Sequence, residues 1–258
     1  MLVNANCFDY FGGIESGSVD LIFTDPPYLT ALSELSDNLN GKKIDFRRLG
    51  SEFDRILKPS GQVAIFSDFY TATVITGCFW DWFKFRFFWI WRKPLGQPVN
   101  RKMPIIDTEL IVVYSKRKSR IRNLTFNWQA IATDGEPYSK IYNGQNRTRK
   151  PMRSYVSRSD GKRYPKQILD YPAKCNLPES ERTNHPTQKP VALCGYVIRA
   201  LSNPGDLIFD PFAGSGSALI AAARLDRRFI GVEIDPEYYR DTRARLDIER
   251  NNLFAKGA

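Results

Sequence analysis

Histidine is almost absent from this chain: of 258 residues, only His185 is one. Any chemistry that turns on an imidazole would depend on that single residue. Cysteine is scarce as well. Cys7, Cys78, Cys175 and Cys194 are scattered without a CxxC pair, so neither a structural zinc site nor a disulfide framework is expected. No run approaches 18 uninterrupted apolar residues, and Met1-Leu2-Val3-Asn4 does not open a signal peptide. These absences point to a soluble, cytoplasmic protein with no membrane partner and no metal.

A hydrophobic fraction of 42% is ample for a core, and the length suits one α/β domain with an insertion. The charge is uneven. From Lys116 to Lys166 there are fourteen Lys/Arg against three Asp/Glu, a net +11, whereas the whole chain carries +10. The basic character therefore belongs to one segment, and the rest is close to neutral. A surface of that sign suits a polyanion.

Near-continuous apolar runs mark strands buried on both faces at Leu2–Asn6, Val19–Thr24, Gln62–Phe66, Phe85–Trp91, Glu109–Ser115, Leu207–Phe209 and Phe229–Glu233. Helical patterns fall between many of them, at Asp45–Leu57, Phe69–Phe83, Lys189–Leu201, Ser217–Leu225 and Asp235–Ile248. The last opens with an Asp cap and Pro236 at the first helical position. Alternating strands and helices predict an α/β fold with a doubly wound sheet. The rhythm breaks from about Lys116 to Arg182, a polar, basic, turn-rich stretch with scattered aromatics, read as an inserted module. Leu29–Lys43 is a second irregular stretch, placed where a loop could close over a ligand. The aromatic run Phe79–Trp91 reads as core packing.

Asp25-Pro26-Pro27-Tyr28 follows the apolar strand Val19–Thr24. Both prolines fix φ near −65° and neither donates a backbone hydrogen bond. Asp25 precedes a proline and is pushed toward extended geometry. The stiff turn holds a carboxylate, free carbonyls and a ring at a strand's C-terminal edge, where open α/β sheets bind ligands.

A second signal, Asp210-Pro211-Phe212-Ala213-Gly214-Ser215-Gly216-Ser217, follows Leu207-Ile208-Phe209. Its two glycines allow a sharp turn and close approach to a ligand. The third glycine of a dinucleotide fingerprint and the Gly-Lys-Ser/Thr of a P-loop are both missing. Asp210 at a strand tip would repel a pyrophosphate but accept an ammonium group. Glu233, ending the next strand, suits a ribose diol. Ammonium plus ribose without phosphate describes S-adenosylmethionine better than NAD or ATP.

With these residues in this order, the chain resembles the β-class S-adenosylmethionine-dependent DNA amino-methyltransferases. The catalytic tetrapeptide comes first, the basic insert second and the cofactor motif last, a circularly permuted order on a Rossmann-like sheet. Asn184-His185-Pro186-Thr187-Gln188-Lys189-Pro190 resembles the family's motif ahead of the cofactor strand, and Trp91-Arg92-Lys93-Pro94 through Asp107-Thr108-Glu109 also has a family look. The resemblance divides the chain into a catalytic half (1–115), a target-recognition insert (116–182) and a cofactor-binding half (183–258).

The resemblance implies roles. Asp210, the loop Phe212, Ala213, Gly214, Ser215, Gly216 and Ser217, and Glu233 would hold the cofactor's methionine and ribose parts. Thr187 and Lys189 would sit near its carboxylate, with His185 at its edge. Asn6 and Cys7 would lie beside its adenine, although Asn6 stands where the family usually has Asp. Asp25 and the Pro26 carbonyl would accept from the two N–H groups of a target amine, Pro27 would stiffen the turn, and Tyr28 would stack on a base flipped out of the duplex. The candidates for contact with double-stranded DNA are Lys93, Arg101, Lys102, Arg117, Lys118, Arg120, Arg122, Arg147, Arg149, Lys150, Arg153 and Arg158. The implied activity is adenine-N6 methylation. In the family Asp at position 25 leans to adenine and Ser to cytosine, so cytosine-N4 methylation is the runner-up, followed by RNA methylation and an inactive DNA-binding module. A homodimer and a restriction-endonuclease partner are further expectations of the resemblance.

Overall fold

The computed structural model describes residues 1–29, 44–97, 102, 104–142 and 154–257. They form two units: 1–126 together with 167–258, and Asn127–Lys166. The stretch 116–182 is thereby divided, because only its middle forms a separate unit and its flanks belong to the larger one. The loop expected over Leu29–Lys43 lies, apart from Leu29, outside the described residues.

In chain order the larger unit begins with β1 (Leu2–Asn4), α1 (Cys7–Tyr10), β2 (Val19–Thr24), α2 (Phe46–Ile56), β3 (Leu57–Ser67), α3 (Phe69–Cys78), β4 (Phe83–Gln97) and β5 (Ile106–Lys116). The smaller unit holds β6 (Thr133–Asp134), β7 (Tyr138–Tyr142), β8 (Tyr155–Ser159) and β9 (Lys162–Arg163). There β6 pairs with β9 and β7 with β8, both antiparallel, and Trp128 packs on Tyr164 with ring centroids 5.3 Å apart. The larger unit resumes with β10 (Ile168–Asp170), α4 (Val191–Leu201), β11 (Leu207–Asp210), α5 (Ser217–Arg224), β12 (Arg228–Glu233) and α6 (Pro236–Gly257).

One sheet of eight strands runs β1-β12-β11-β2-β3-β5-β4-β10. The five strands from β1 to β3 in that order are mutually parallel, and β5 turns antiparallel to both β3 and β4. From β2 the chain moves by way of α2 to β3, on one side. From β11 it moves by way of α5 to β12, on the other. The winding direction therefore reverses between β11 and β2, which are hydrogen-bonded neighbours (Phe209 opposite Ile22). A crevice opens at such a reversal, outside the carboxyl ends of the two strands.

Alternate residues of the central strands serve opposite faces, as the pleat requires. Val63 and Ile65 of β3, with Val112 and Tyr114 of β5, join Phe11, Phe53, Phe79 and Phe209 in one core. Phe53 meets Phe11 and Phe79 edge-on, with centroids 6.1 and 5.9 Å apart. Each such ring removed from water contributes roughly 1.5–3 kcal/mol. Ala64, Phe66, Ile111 and Val113 lie between these positions and are buried too, which is why the sequence reads as continuous apolar runs. Asp45 caps α2 by accepting from the Arg48 amide at 2.9 Å, and the helix buries Phe46, Leu49, Phe53 and Ile56 on one stripe.

One expected helix ends early, and one strand is new. The helix expected to reach Phe83 ends at Cys78. Gly77 weakens its last turn, the Phe79 amide closes on Ile75 at 2.8 Å, and Phe79 enters the core while Phe83 starts β4. β10 was not foreseen. Three residues carry no strand signal of their own, and they join the sheet only because Ile168, Leu169 and Asp170 find register against Ile90, Trp91 and Arg92. Among the described residues no helix is long and apolar enough to cross a membrane.

Candidate active site

At the reversal β2 ends on Thr24 and β11 on Asp210, and the threonine hydroxyl joins the two. Thr24, the last residue of β2, donates from Oγ1 to Asp210 Oδ1 at 2.7 Å, and both side chains are buried. The Phe212 amide donates to the same oxygen at 3.1 Å. One residue beyond Thr24 stands Asp25. The pairing of β2 with β11 thus makes the two sequence motifs neighbours at the sheet's carboxyl edge, and this side-chain hydrogen bond links them.

Burial pushes the Asp210 carboxyl up to about 7, against the help of Thr24 and the Phe212 amide, and the charges of Asp25 and Glu233 add to the rise. Among the described residues no cation pairs with this deep carboxylate, a setting that suits a ligand's ammonium group. Glu233, at the tip of β12, is raised by burial and held by two backbone amides, Gly214 at 2.6 Å and Asp235 at 2.9 Å. Each of its oxygens keeps a second lone pair for a hydroxyl. This donor set fits an amino acid and a ribose diol, the two ends of S-adenosylmethionine.

The glycine loop is closely packed within the protein. Gly214 and Gly216 both lie at positive φ (47° and 73°), so the turn needs them. The space that a Cβ would take is already filled by protein: one added at Gly214 would lie 2.9 Å from His185 Nε2, and one at Gly216 2.5 Å from Thr242 Cγ2. Their missing side chains permit this internal packing. The remaining loop residues are largely buried: Ala213 amide bonds to Val232 O at 2.9 Å, and Ser215 and Ser217 hydroxyls lie 3.1 Å apart.

His185 stacks on Tyr238 with centroids 4.6 Å apart, and its Nδ1 is buried without a partner among the described residues. Burial, and then the charges of Lys189 and Lys174, lower it to about 4, so the ring is neutral at pH 7. Asn6 caps α1 by accepting from the Phe8 amide at 3.0 Å, and burial raises the Cys7 thiol to about 12. Thr187 is exposed.

Around Asp25 the structure gathers more charge than the motif alone suggests. Pro26 is buried, and Pro27 and Tyr28 are half-buried. The Leu29 amide donates to Thr71 Oγ1 at 2.8 Å, pinning the far side of the turn on the first turn of α3. The Tyr28 hydroxyl lies 3.0 Å from Asp25 Oδ1 and 3.1 Å from Glu109 Oε2. Lys189 Nζ lies 2.6 Å from Asp25 Oδ2 and 3.3 Å from Glu109 Oε2, and Lys93 Nζ lies 2.5 Å from Glu109 Oε1. Burial raises the Asp25 carboxyl, Lys189 opposes that rise and Glu109 adds to it. Burial alone would lift Glu109 as well, but Lys189 and Lys93 hold it below the usual range.

Lys189 and Lys93, which the sequence placed on the cofactor and on DNA, therefore both belong to one cluster beside Asp25. Glu109 was noted only as part of a motif. An acid on an otherwise apolar strand, Leu110–Tyr114 following it, was the signal available. Of the DNA candidates, Lys118, Arg120, Arg122 and Arg158 are exposed, and so is Lys102. Arg117 stacks on Trp80 at 4.7 Å and donates from Nε to the Trp80 carbonyl at 2.9 Å. Arg101, Arg147, Arg149, Lys150 and Arg153 lie outside the described residues. The aromatic run is divided: Phe79, Phe83, Trp89 and Trp91 are core, whereas Trp80 and Phe85 are exposed.

Known proteins resemble this chain in sequence and in fold. A family model described as DNA methylase matches residues 19–244. The Type II methyltransferase M.HpaI of Haemophilus parainfluenzae is 31% identical over 260 residues, 98% of this chain and 76% of that protein. The DNA adenine methyltransferase YhdJ of Escherichia coli K12 is 31% identical over 252 residues, 91% of this chain and 78% of that protein. Among solved structures, the M1.HpyAVI–SAM complex superposes with a TM-score of 0.64 at 25% identity, covering 95% of this chain and 98% of that one.

Proposed function

The chain belongs to the DNA methylase family, and from that premise we propose that it transfers the methyl group of S-adenosylmethionine to N6 of an adenine flipped out of double-stranded DNA. The observation that carries the proposal is the 2.7 Å bond from Thr24 to Asp210, which holds a cation-seeking acid one residue away from Asp25. Asp210 and Glu233 are the residues to hold the cofactor's ammonium and ribose, with the Phe212–Ser217 loop, His185 and Asn6-Cys7 bordering them. Two observations favour N6 of adenine over N4 of cytosine: Asp rather than Ser at position 25, and 31% identity to the DNA adenine methyltransferase YhdJ.

When bound, S-adenosylmethionine supplies an electrophilic methyl group on a sulfonium. The chain's own residues act on the amine. The N6 lone pair is delocalised into the purine ring, so the amine is a poor nucleophile until it becomes pyramidal. The Asp25 carboxylate and the Pro26 carbonyl are rigid acceptors for its two N–H groups. They favour the pyramidal form and stabilise the positive charge growing on nitrogen, with little reorganisation at the moment of transfer. Tyr28 offers a ring face to the flipped base. The exposed basic residues of the insert, Arg158 among them, position the phosphate backbone. A homodimer, a restriction-endonuclease partner and a cytoplasmic location complete the proposal, on the strength of the family and of the Type II relative.

The test is direct. The protein is incubated with methyl-labelled S-adenosylmethionine and unmethylated DNA, and the labelled nucleoside is identified. N6-methyladenine is expected. N4-methylcytosine would overturn the choice of base, and unlabelled DNA would overturn the activity.

A further inference from the structure

Asp25 stands within a chain of buried charge that the reaction, as described above, does not use. The Lys189 side chain is only 7% exposed. An ammonium has three protons, and three acceptors surround this one: Asp25 Oδ2 at 2.6 Å, Glu109 Oε2 at 3.3 Å and the Thr187 carbonyl at 3.4 Å. Reaching a cofactor carboxylate would require breaking one of these contacts. Glu109, 15% exposed, faces Lys189 with one oxygen and Lys93 with the other. The Tyr28 hydroxyl lies between the two acids, and its one proton can serve only one of them at a time.

We propose that Lys189 and Glu109 are positioning residues for the methyl-transfer reaction, Lys189 holding the Asp25 carboxylate ionised and aimed at the target amine, and Glu109 holding Lys189 and the Tyr28 hydroxyl in place. The inference rests on the functional reading above. Its physical basis is desolvation. A carboxylate removed from water favours its neutral form, and a protonated Asp25 would lose the negative charge on which the amine's developing positive charge depends. An ammonium at 2.6 Å opposes that preference. Because it binds Oδ2 from one side, the second lone pairs of both carboxylate oxygens stay available to the amine. A lysine left alone here would itself tend to lose its proton on burial. Asp25 and Glu109 together hold it above the usual lysine range, so the cation is permanent. Of the charged groups facing Asp25, Lys189 lowers its carboxyl and Glu109 raises it, while Asp210, bonded to the neighbouring Thr24, is an acid coupled to it by like charge. Lys93 faces Glu109 from β4 and offsets that second acid.

These opposed signs yield a test that a merely structural role would not pass. Methyl transfer to DNA is measured from pH 5 to 9 for the wild type, Lys189→Met, Lys189→Arg and Glu109→Gln. Cofactor Kd is taken by calorimetry. In Lys189→Met the acid limb of the kcat profile moves up by about one pH unit or more, with cofactor Kd within about twofold of wild type, and Lys189→Arg restores part of the position. In Glu109→Gln the limb moves the other way, downward, since a repelling charge is gone while Lys189 stays. The Asp25 13C-carboxyl resonance is titrated in the same proteins and reads both shifts without catalysis. A wild type that transfers no methyl group therefore sinks the functional reading, while the resonance still decides this one. If Lys189→Met does not fold, the downward movement in Glu109→Gln, which keeps a hydrogen-bonding amide, decides. The proposal is overturned if neither limb nor resonance moves, if both variants move the same way, or if Lys189→Met weakens cofactor binding by tenfold or more and leaves the limb unmoved. In that last case the ammonium serves the cofactor.

Discussion

Replacing Asp210 by Asn should stabilise the free protein while destroying its affinity for the cofactor. The side chain is 4% exposed, and its carboxyl titrates at about 7 instead of 3.8. Because the folded-state value is the higher one, the stability contributed by this group is fully present below about pH 4. It is lost as pH rises through about 7. A difference of about three pH units corresponds to about 4 kcal/mol between the two extremes. Asparagine is always neutral, matches the shape, and its amide oxygen can still accept from Thr24 and the Phe212 amide. Urea unfolding of wild type and Asp210→Asn at pH 5 and pH 8 should thus show the variant's advantage widening by about 2–3 kcal/mol at the higher pH. The functional counterpart has the opposite sense. An ammonium ligand needs the ionised acid, so S-adenosylmethionine binding to wild type should weaken about tenfold for each pH unit below about 7, and Asp210→Asn should lose both the affinity and its pH dependence. An advantage independent of pH would refute the argument, because the buried carboxyl would then not carry the titration.

Three further outcomes follow from the same geometry. Asp25→Ala should lower kcat by about 10³ or more while keeping cofactor Kd within about tenfold, since the carboxylate acts mainly in the transition state; a kcat within tenfold of wild type would exclude that role. Thr24→Val removes the hydroxyl that donates at 2.7 Å to Asp210 and should cost about 1–3 kcal/mol in unfolding free energy at pH 8, with weaker cofactor binding; an unchanged Kd would mean that the strand-to-strand bond does not shape the pocket. Arg158→Ala, exposed on β8, should weaken binding to every DNA sequence alike and reduce the log–log salt slope by about one, whereas an effect confined to one sequence would make it a base reader.

The order of strands and helices could be read from hydrophobic pattern because the central strands are covered on both faces. Seven expected strands correspond to β1–β5, β11 and β12, and five expected helices to α2–α6. Boundaries moved where local signals were weak or misleading. Gly77 and Phe79 ended α3 early, and β10 exists only through its register with β4. Asp25, Asp210 and Glu233 were legible as candidate site residues because acids are costly at the ends of apolar strands and so call for an explanation. Glu109 was harder to assign. Its meaning depends on Lys189, 80 positions along the chain and on another element, and no spacing rule connects them.

The sequence by itself determined the family, the succession of catalytic turn, basic insert and cofactor loop, and the stiff geometry of Asp25-Pro26-Pro27-Tyr28. All of these follow from local residue chemistry and motif order. Only the tertiary structure decided who surrounds Asp25. The antiparallel return of β5 brings Glu109 to the carboxyl edge beside Tyr28, and the chain entering α4 delivers Lys189 to the same place. Electrostatic contact falls off over a few ångströms of space rather than of sequence, and in a buried site those few ångströms set the charge state on which the chemistry depends.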